Sequence, residues 1–277
     1  DTARIQPATS WDLNSWGEDL LACNEDDGKI YQWELDTSTA AAVLSNAPTS
    51  NLGIVVTEER FLFALGAGGN PRLVPYVYGI ERVGTSCGLA AKQAAIAVDA
   101  GAYWMGINSF YSYQGSGVQE LQSEVSDYVF NDINKAQISK TFAMSNSMFG
   151  EVTWFYPSGS ATENDRYVTY NYVENTWHIG ELDRTAGYDR GAFRQPMMVK
   201  ASDRKIYEHE IGFDYGGLTP FAETGPFMLG SGDQVMSVTE MIPDEKTQGD
   251  VDVTFKARFY PNGTERSYGP FAMSTPT

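Results

Sequence analysis

From residue 251 to 259 (VDVTFKARF) the chain alternates without a break, apolar at every odd position and polar at every even one. A period of two places the two sets on opposite faces of an extended strand, so this segment reads as a strand with one buried and one wet face. Pro261-Asn262-Gly263 follows it and supplies a turn, because Asn and Gly tolerate positive φ. Asn262-Gly263-Thr264 also spells a glycosylation sequon, but the turn accounts for it.

Similar short runs recur along the chain. Residues 29–35 (KIYQWEL) alternate behind the turn Asp26-Asp27-Gly28, and 53–56 (GIVV) and 61–63 (FLF) are split by the polar Thr57-Glu58-Glu59-Arg60. Residues 152–156 and 166–172 flank a polar turn, 158–165, and read as a hairpin. With 16 Tyr, 14 Phe, 6 Trp and 27 Gly, the composition suits short strands broken by tight turns better than helices. Residues 131–140 are expected to form one short helix. The Ala-rich stretch 88–100 fits a helix by propensity, while its second half, 95–99, alternates equally well as a strand. The fold class expected from the pattern is therefore all-β.

A faint repeat accompanies the strands. Tyr31/Trp33, Tyr111/Tyr113, Tyr170/Tyr172 and Tyr207/His209 each place two rings two positions apart, at intervals of 80, 59 and 37 residues. These intervals are irregular but near multiples of the roughly 40-residue period of propeller blades. Any Tyr-rich β protein yields some such pairs, so the repeat does not establish a propeller unaided.

Net charge excludes some functions. Nineteen basic against 36 acidic residues give −17, a field that repels nucleic acid and anionic lipid and also serves solubility. No run of about 18 apolar residues exists to span a membrane. The chain begins at Asp1 without Met and ends on a loose Ser274-Thr275-Pro276-Thr277, from which a fragment is expected; its N-terminus shows no basic-then-apolar signal-peptide pattern. Two cysteines, Cys23 and Cys87, are too few for a disulfide framework or a cysteine zinc site and read as small buried hydrophobes.

The sharpest catalytic signal is Gly84-Thr85-Ser86-Cys87-Gly88, a GxSxG match between an aromatic strand-like run and the Ala-rich stretch. With His178 or His209 as base and Asp127 as acid, a Ser86 hydrolase can be drawn. Against it, such hydrolases need a parallel sheet with crossover helices, whereas hairpin-like strands follow one another here. His178 also reads as a strand residue beside Trp177. Glu208-His209-Glu210 and the carboxylates of 183–189 are clusters that so acidic a chain makes freely. Asn24-Glu25-Asp26-Asp27-Gly28 lacks the alternating ligands and closing Glu of a calcium loop. Gly66-Ala67-Gly68-Gly69-Asn70 has no following Lys-Ser/Thr to make it a phosphate loop. No catalytic, cofactor or metal residue is assigned.

Residues 151–217 carry the combination EVTWFYPS, ENDRYV, YNY and NTW, then RT, DRGAF and YEHEIG. This run resembles the tail-nozzle, or packaged-DNA stabilisation, proteins of podovirus-type tailed phages. Residues 11–33, Tyr103-Trp104-Met105-Gly106 with Phe110-Tyr111, and residues 258–273 resemble the same family. The resemblance implies a β-propeller core of short antiparallel sheets over 1–217 and an additional C-terminal β domain or closing blade over 218–277. It implies a structural virion protein, not an enzyme, in a ring of six copies. Its partners would be a portal adaptor and tail fibre or tailspike proteins, with genomic DNA leaving through the lumen without sequence-specific binding. The site of action would be the virion tail, assembled in the host cytoplasm. A longer stretch is expected between Val74 and Pro75, leaving the number of blades open. The main alternative is a surface propeller that binds or cleaves glycans, marked by a concave cluster of exposed aromatics beside paired carboxylates. The third is the Ser86 hydrolase.

Overall fold

A computed structural model describes residues 10–66, 72–74, 81–99, 101–212, 219–225, 236–241, 251–260 and 262–273. The chain divides into two compact units, Asp1–Phe213 and Asp214–Thr277.

The first unit is a β-propeller core of small antiparallel meanders. β1 (Trp11–Trp16), β2 (Asp19–Asn24), β3 (Ile30–Trp33) and β4 (Ala42–Val43) make the first blade. β5 (Gly53–Val56), β6 (Leu62–Leu65), β7 (Arg72–Val74) and β8 (Glu81–Arg82) make the second. β9 (Ala95–Val98), β10 (Gly101–Met105), β11 (Phe110–Tyr113) and β12 (Val118–Glu120) follow as the third. A helix α1 (Ser126–Asp132) and a 3-10 turn (Ile138–Lys140) then lead to the fourth. That blade holds β13 (Phe142–Asn146), β14 (Glu151–Tyr156), β15 (Arg166–Asn171) and β16 (Thr176–Glu181). A fifth, three-stranded sheet has β17 (Ala186–Tyr188), β18 (Met197–Lys200) and β19 (Lys205–Glu208). The first strands neighbour one another in chain order, β1 to β5 to β9 to β13 to β17.

Blades stack because alternate residues point to opposite faces. In the second blade, Ile54, Leu62 and Ala64 pack towards the first blade, against Leu21, Cys23 and Ile30. Their neighbours Val55, Phe63 and Leu65 join the cluster of the third and fourth blades with Trp104, Phe110 and Trp154. Both faces are buried, which is why 53–56 and 62–65 read as continuous apolar runs. The fourth blade repeats the device: Val152, Trp154, Tyr156, Val168 and Tyr170 face one way, and Phe142, Met144 and Phe155 pack with Met198 of the fifth sheet. Phe110 sits 5.0 Å from Trp154 and 4.8 Å from Trp177, ring centre to ring centre. Trp154 also donates its indole N–H to the Ala94 carbonyl at 3.0 Å, satisfying its polar atom inside the core.

The aromatic pairs of the sequence fall on third strands: Tyr31/Trp33 on β3, Tyr111/Tyr113 on β11, Tyr170/Tyr172 on and just past β15, and Tyr207/His209 on and just past β19. The 59-residue interval is long because α1 and the 3-10 turn are inserted between the third and fourth blades. The helix expected at 131–140 lies earlier, at Ser126–Asp132, and only Ile138–Lys140 turns again. Val129, fully buried, anchors it, whereas 133–137 extend and turn. Of the Ala-rich stretch, Ala95–Val98 is strand, since pairing with β10 outweighs local propensity. β7 ends at Val74, and 75–80, where a longer stretch was expected, lie outside the described residues.

The second unit contains the hairpin of β20 (Val251–Ala257) and β21 (Arg266–Met273). Its alternation places Val251, Val253 and Phe255 opposite Met273, Phe271 and Tyr268, with a register shift between Val253 and Phe255. The strand expected to reach 259 stops at Ala257, and an Arg258–Glu265 ion pair of 2.7 Å spans the turn that follows.

Replacing Trp154 by Ala removes the ring shared by two blades and one of the two donors to the Ala94 carbonyl, which keeps the Met105 N–H at 3.0 Å. Denaturant unfolding is expected to show a loss of about 3–5 kcal/mol. A loss below about 1 kcal/mol would contradict this packing.

Candidate functional site

All five first strands meet at one place. A cavity of about 360 Å³ is lined by Asp12 and Asn14 of β1, Ile54–Val56 of β5, Gln93 and Ala95–Ala97 at β9, Phe142 and Ala143 at β13, and Ala186 and Gly187 of β17. Small side chains from β9, β13 and β17 leave the axis open. The strands that border it are all at the inner edges of their sheets.

Polar groups tie these edges together. The Asp12 carboxylate accepts the Ile54 N–H at 2.7 Å, and the Asn14 amide donates to the Ile54 carbonyl at 3.1 Å. Lys92, buried just before β9, donates to the Ser10 carbonyl and lies 3.9 Å from Glu25. Gly53 is required at this junction, since a Cβ there would come within 2.6 Å of the Lys92 carbonyl oxygen. Burial pushes the Asp12 carboxyl from 3.8 up to about 6, the Ile54 hydrogen bond and the Lys92 charge offsetting only part of the cost.

Ser86 lies in the connection from β8 to β9, exposed and with φ of 59°, a strained left-handed conformation for a non-glycine residue. The strain matches what an elbow would show, but the partners are elsewhere. Its carbonyl accepts the Tyr111 hydroxyl at 3.3 Å, and no hydrogen bond joins its hydroxyl to His178, His209 or Asp127. His178 stands on β16 opposite Thr169. His209 follows β19 and accepts the Arg184 Nε–H at Nε2, 2.9 Å away. Burial first, and then the Arg184 charge, lower its pKa from 6.5 to about 4, so it is a neutral acceptor occupied by a guanidinium. Asp127 is exposed in the first turn of α1. Cys87, beside Ser86, is buried and its thiol is raised by that burial.

Other clusters serve structure. Asp27 accepts the Lys29 N–H at 3.0 Å and the Tyr31 hydroxyl at 2.7 Å, closing the turn that was compared with a calcium loop. Asp183 accepts Ser202 at 2.8 Å, and Asp189 accepts the Ser147 N–H at 2.9 Å. Among the described residues no group of three or more His, Cys, Asp or Glu could hold a metal ion. Of the glycine-rich loop, 67–70 fall outside the described residues.

A second concavity, of about 380 Å³, opens on the first blade and is lined by Leu20, Ala22, Tyr31, Trp33, Thr37, Thr39, Ala40 and Ala41. The Trp33 indole donates to the Asp36 and Thr39 carbonyls at 3.0 and 3.1 Å, which fixes the ring. Trp11, 43% exposed, stands edge-on to Tyr31 at 5.6 Å. Sequence reasoning identified the Tyr31/Trp33 pair but not the pocket, because the pocket wall comes from the 34–41 loop folding back over β3.

No protein-family description and no curated protein matches the chain. Solved structures similar to it include a nidogen/laminin complex, at 11% identity and a TM-score of 0.48, covering 69% of this chain and 71% of that one. A streptogramin B lyase gives 12% and 0.45, covering 76% and 72%. The SapL1 lectin in complex with alpha methyl fucoside gives 10% and 0.44, covering 78% and 82%. At this distance none of them transfers an activity or a ligand to this chain.

Asp12 makes stability depend on pH. Its folded-state pKa is the higher one, so the folded chain binds the proton more readily between about pH 4 and 6. Stability is therefore favoured at low pH by this group and declines as pH rises through 6, by up to about 3 kcal/mol. Asp12→Asn keeps an acceptor for Ile54 and removes the buried charge. It is expected to raise the melting temperature at pH 8 and flatten its dependence between about pH 4 and 7; an unchanged profile would contradict the assignment.

Proposed function

We propose that this chain is a structural component of a phage tail, a propeller of the nozzle kind that forms a ring around the path of the genome, and that it is not an enzyme. The observation that carries this reading is how the residues of the resemblance are used. Trp154, Phe155, Tyr156, Tyr170 and Trp177, from the run 151–217, are all spent on packing within and between blades. A motif devoted to packing fits a part whose task is to hold shape under load. The unassembled Ser86 group supports the same reading, as does the acidic balance of −17. Acidic side chains along a lumen would keep DNA from adhering as it slides. Portal-adaptor and tail fibre or tailspike proteins are the partners this reading calls for, in the virion tail.

The Tyr31–Trp33 pocket favours one second reading, a glycan-binding propeller, since aromatic rings fixed in a concavity suit the apolar faces of sugars. The nearby Asp27 and Asp36 are engaged in turn hydrogen bonds, which speaks for binding over cleavage.

Negative-stain microscopy of the purified chain separates the two. Sixfold rings are expected; a monomer that binds a glycan array, with binding lost in Trp33→Ala, would replace the tail reading by the lectin one. A fluorophosphonate probe is expected to label wild type and Ser86→Ala equally, and labelling lost in the variant would establish the hydrolase.

A further inference from the structure

The concavity of the first blade lies on the face turned away from the second. Leu21, Cys23 and Ile30 pack towards the second blade, so Leu20, Ala22 and Tyr31, one position out of phase on the same strands, point the other way. Their cross-strand neighbours on that face stand open to solvent: Leu13, opposite Ala22, is 57% exposed and Val43, opposite Tyr31, is 49% exposed.

The 34–41 loop turns part of this face into a preformed cup. Asp36 accepts the Ser38 N–H at 2.9 Å, the Ser38 hydroxyl at 2.7 Å and the Thr39 hydroxyl at 3.0 Å. The Trp33 indole N–H, shared between the Asp36 and Thr39 carbonyls, pins that loop to β3. The enclosed space of about 380 Å³ has the size of a small-molecule site. Little ordering remains to be lost when a ligand enters a cup held in this way.

Its chemistry favours a cation. Tyr31 and Trp33 supply two rings, and beside them the lining is aliphatic except for the hydroxyls of Thr37 and Thr39. Tyr31 donates its hydroxyl proton to the Asp27 carboxylate at 2.7 Å, and Trp33 donates its indole proton to carbonyls. Donation to an anion or a carbonyl enriches the ring faces in electrons, which strengthens their attraction for positive charge. The two nearest carboxylates stand behind this lining, Asp27 on the Tyr31 hydroxyl and Asp36 on the Thr39 hydroxyl. Both are held below the usual carboxylate range, Asp27 chiefly by the Lys29 N–H and Asp36 chiefly by the Ser38 hydroxyl, so both are charged at neutral pH.

Positive charge is scarce around them. Residues 10–44 hold eight carboxylates and one basic residue, Lys29, whose ammonium stands 3.4 Å from Asp27. Asp36 forms no ion pair among the described residues. From neighbouring elements, Lys92 reaches this blade at Ser10 and Glu25, and Arg60 reaches it at Gly17. None of these residues lines the cup. Electron-rich rings, an acidic surround and few hydrogen-bonding groups together match a cation whose charge is spread over C–H groups.

We propose that the Tyr31–Trp33 cup binds a small quaternary ammonium cation such as choline, its methyl groups against the two rings and Asp36 as counter-charge. A free cation is specified over phosphocholine, because a phosphate would be repelled by the same carboxylates. The inference goes beyond the tail reading, which leaves this cup unused, and it differs from the sugar reading in the charge of the ligand.

Titration calorimetry of the full chain with choline tests it, beside the neutral alcohol that carries a tert-butyl group in place of the trimethylammonium. Choline is expected to bind roughly fivefold or more tightly than this uncharged twin, and to bind more weakly as salt is raised. Trp33→Leu keeps apolar volume without the ring, and should weaken choline by roughly fivefold or more while moving the alcohol little. Asp36→Asn retains an acceptor for the loop and should weaken choline alone. Circular dichroism checks the fold of each variant, and the wild-type comparison of the two ligands needs no variant. No choline binding, equal binding of the alcohol, or tighter binding of phosphocholine would overturn the proposal. Methyl glucoside bound in place of choline would overturn it while upholding the sugar reading. Sixfold rings with a silent choline titration would overturn it and leave the tail reading intact.

Discussion

The structure depends on the alternation of side chains across thin sheets, each of which must find apolar partners on both faces. A sheet of four short strands buries too little by itself to offset the entropy of ordering it. The second blade meets this by sending Ile54, Leu62 and Ala64 one way and Val55, Phe63 and Leu65 the other. The fourth blade does so with larger residues, and its tryptophan and tyrosine rings reach across to Phe110 and Tyr103. Stability is thus shared along the series of blades, and a single large ring such as Trp154 is felt in two of them.

The same stacking sets where polar groups must work. First strands end up side by side at the axis, at the open edge of each sheet, and their backbone groups need partners that no further strand supplies. Asp12 and Asn14 meet this need by clasping Ile54 from the neighbouring blade, at the cost of a carboxylate held partly out of water. Lys92 reaches from the start of the third blade to the chain segment just before the first. These side chains look unremarkable in sequence, since nothing local marks a lone Asp in a strand as a clasp between blades.

Motifs that looked chemical proved to be geometry. The GxSxG match does produce a strained serine, but a nucleophile needs a base, and the histidines stand on the fourth blade and beyond the last strand of the fifth sheet. The acidic turn at 24–28 uses Asp27 to hold its own backbone and Tyr31. The aromatic pairs carried more than their irregular spacing promised. They mark third strands, and the spacing is irregular because a helix interrupts the chain between two blades.

Alternation, turn residues and aromatic richness determined by themselves that this chain is built of short antiparallel strands, because the period of two is written locally in each segment. Residues 251–257 and 152–156 could be read directly for that reason. The tertiary structure decided what depends on separate segments meeting: which face of each strand meets which neighbour, that five first strands share one axis, and that Ala95–Val98 is strand. It also decided that the glycine-bordered serine stands without a base. Each of these follows from contacts between residues tens of positions apart, and local sequence holds no record of them.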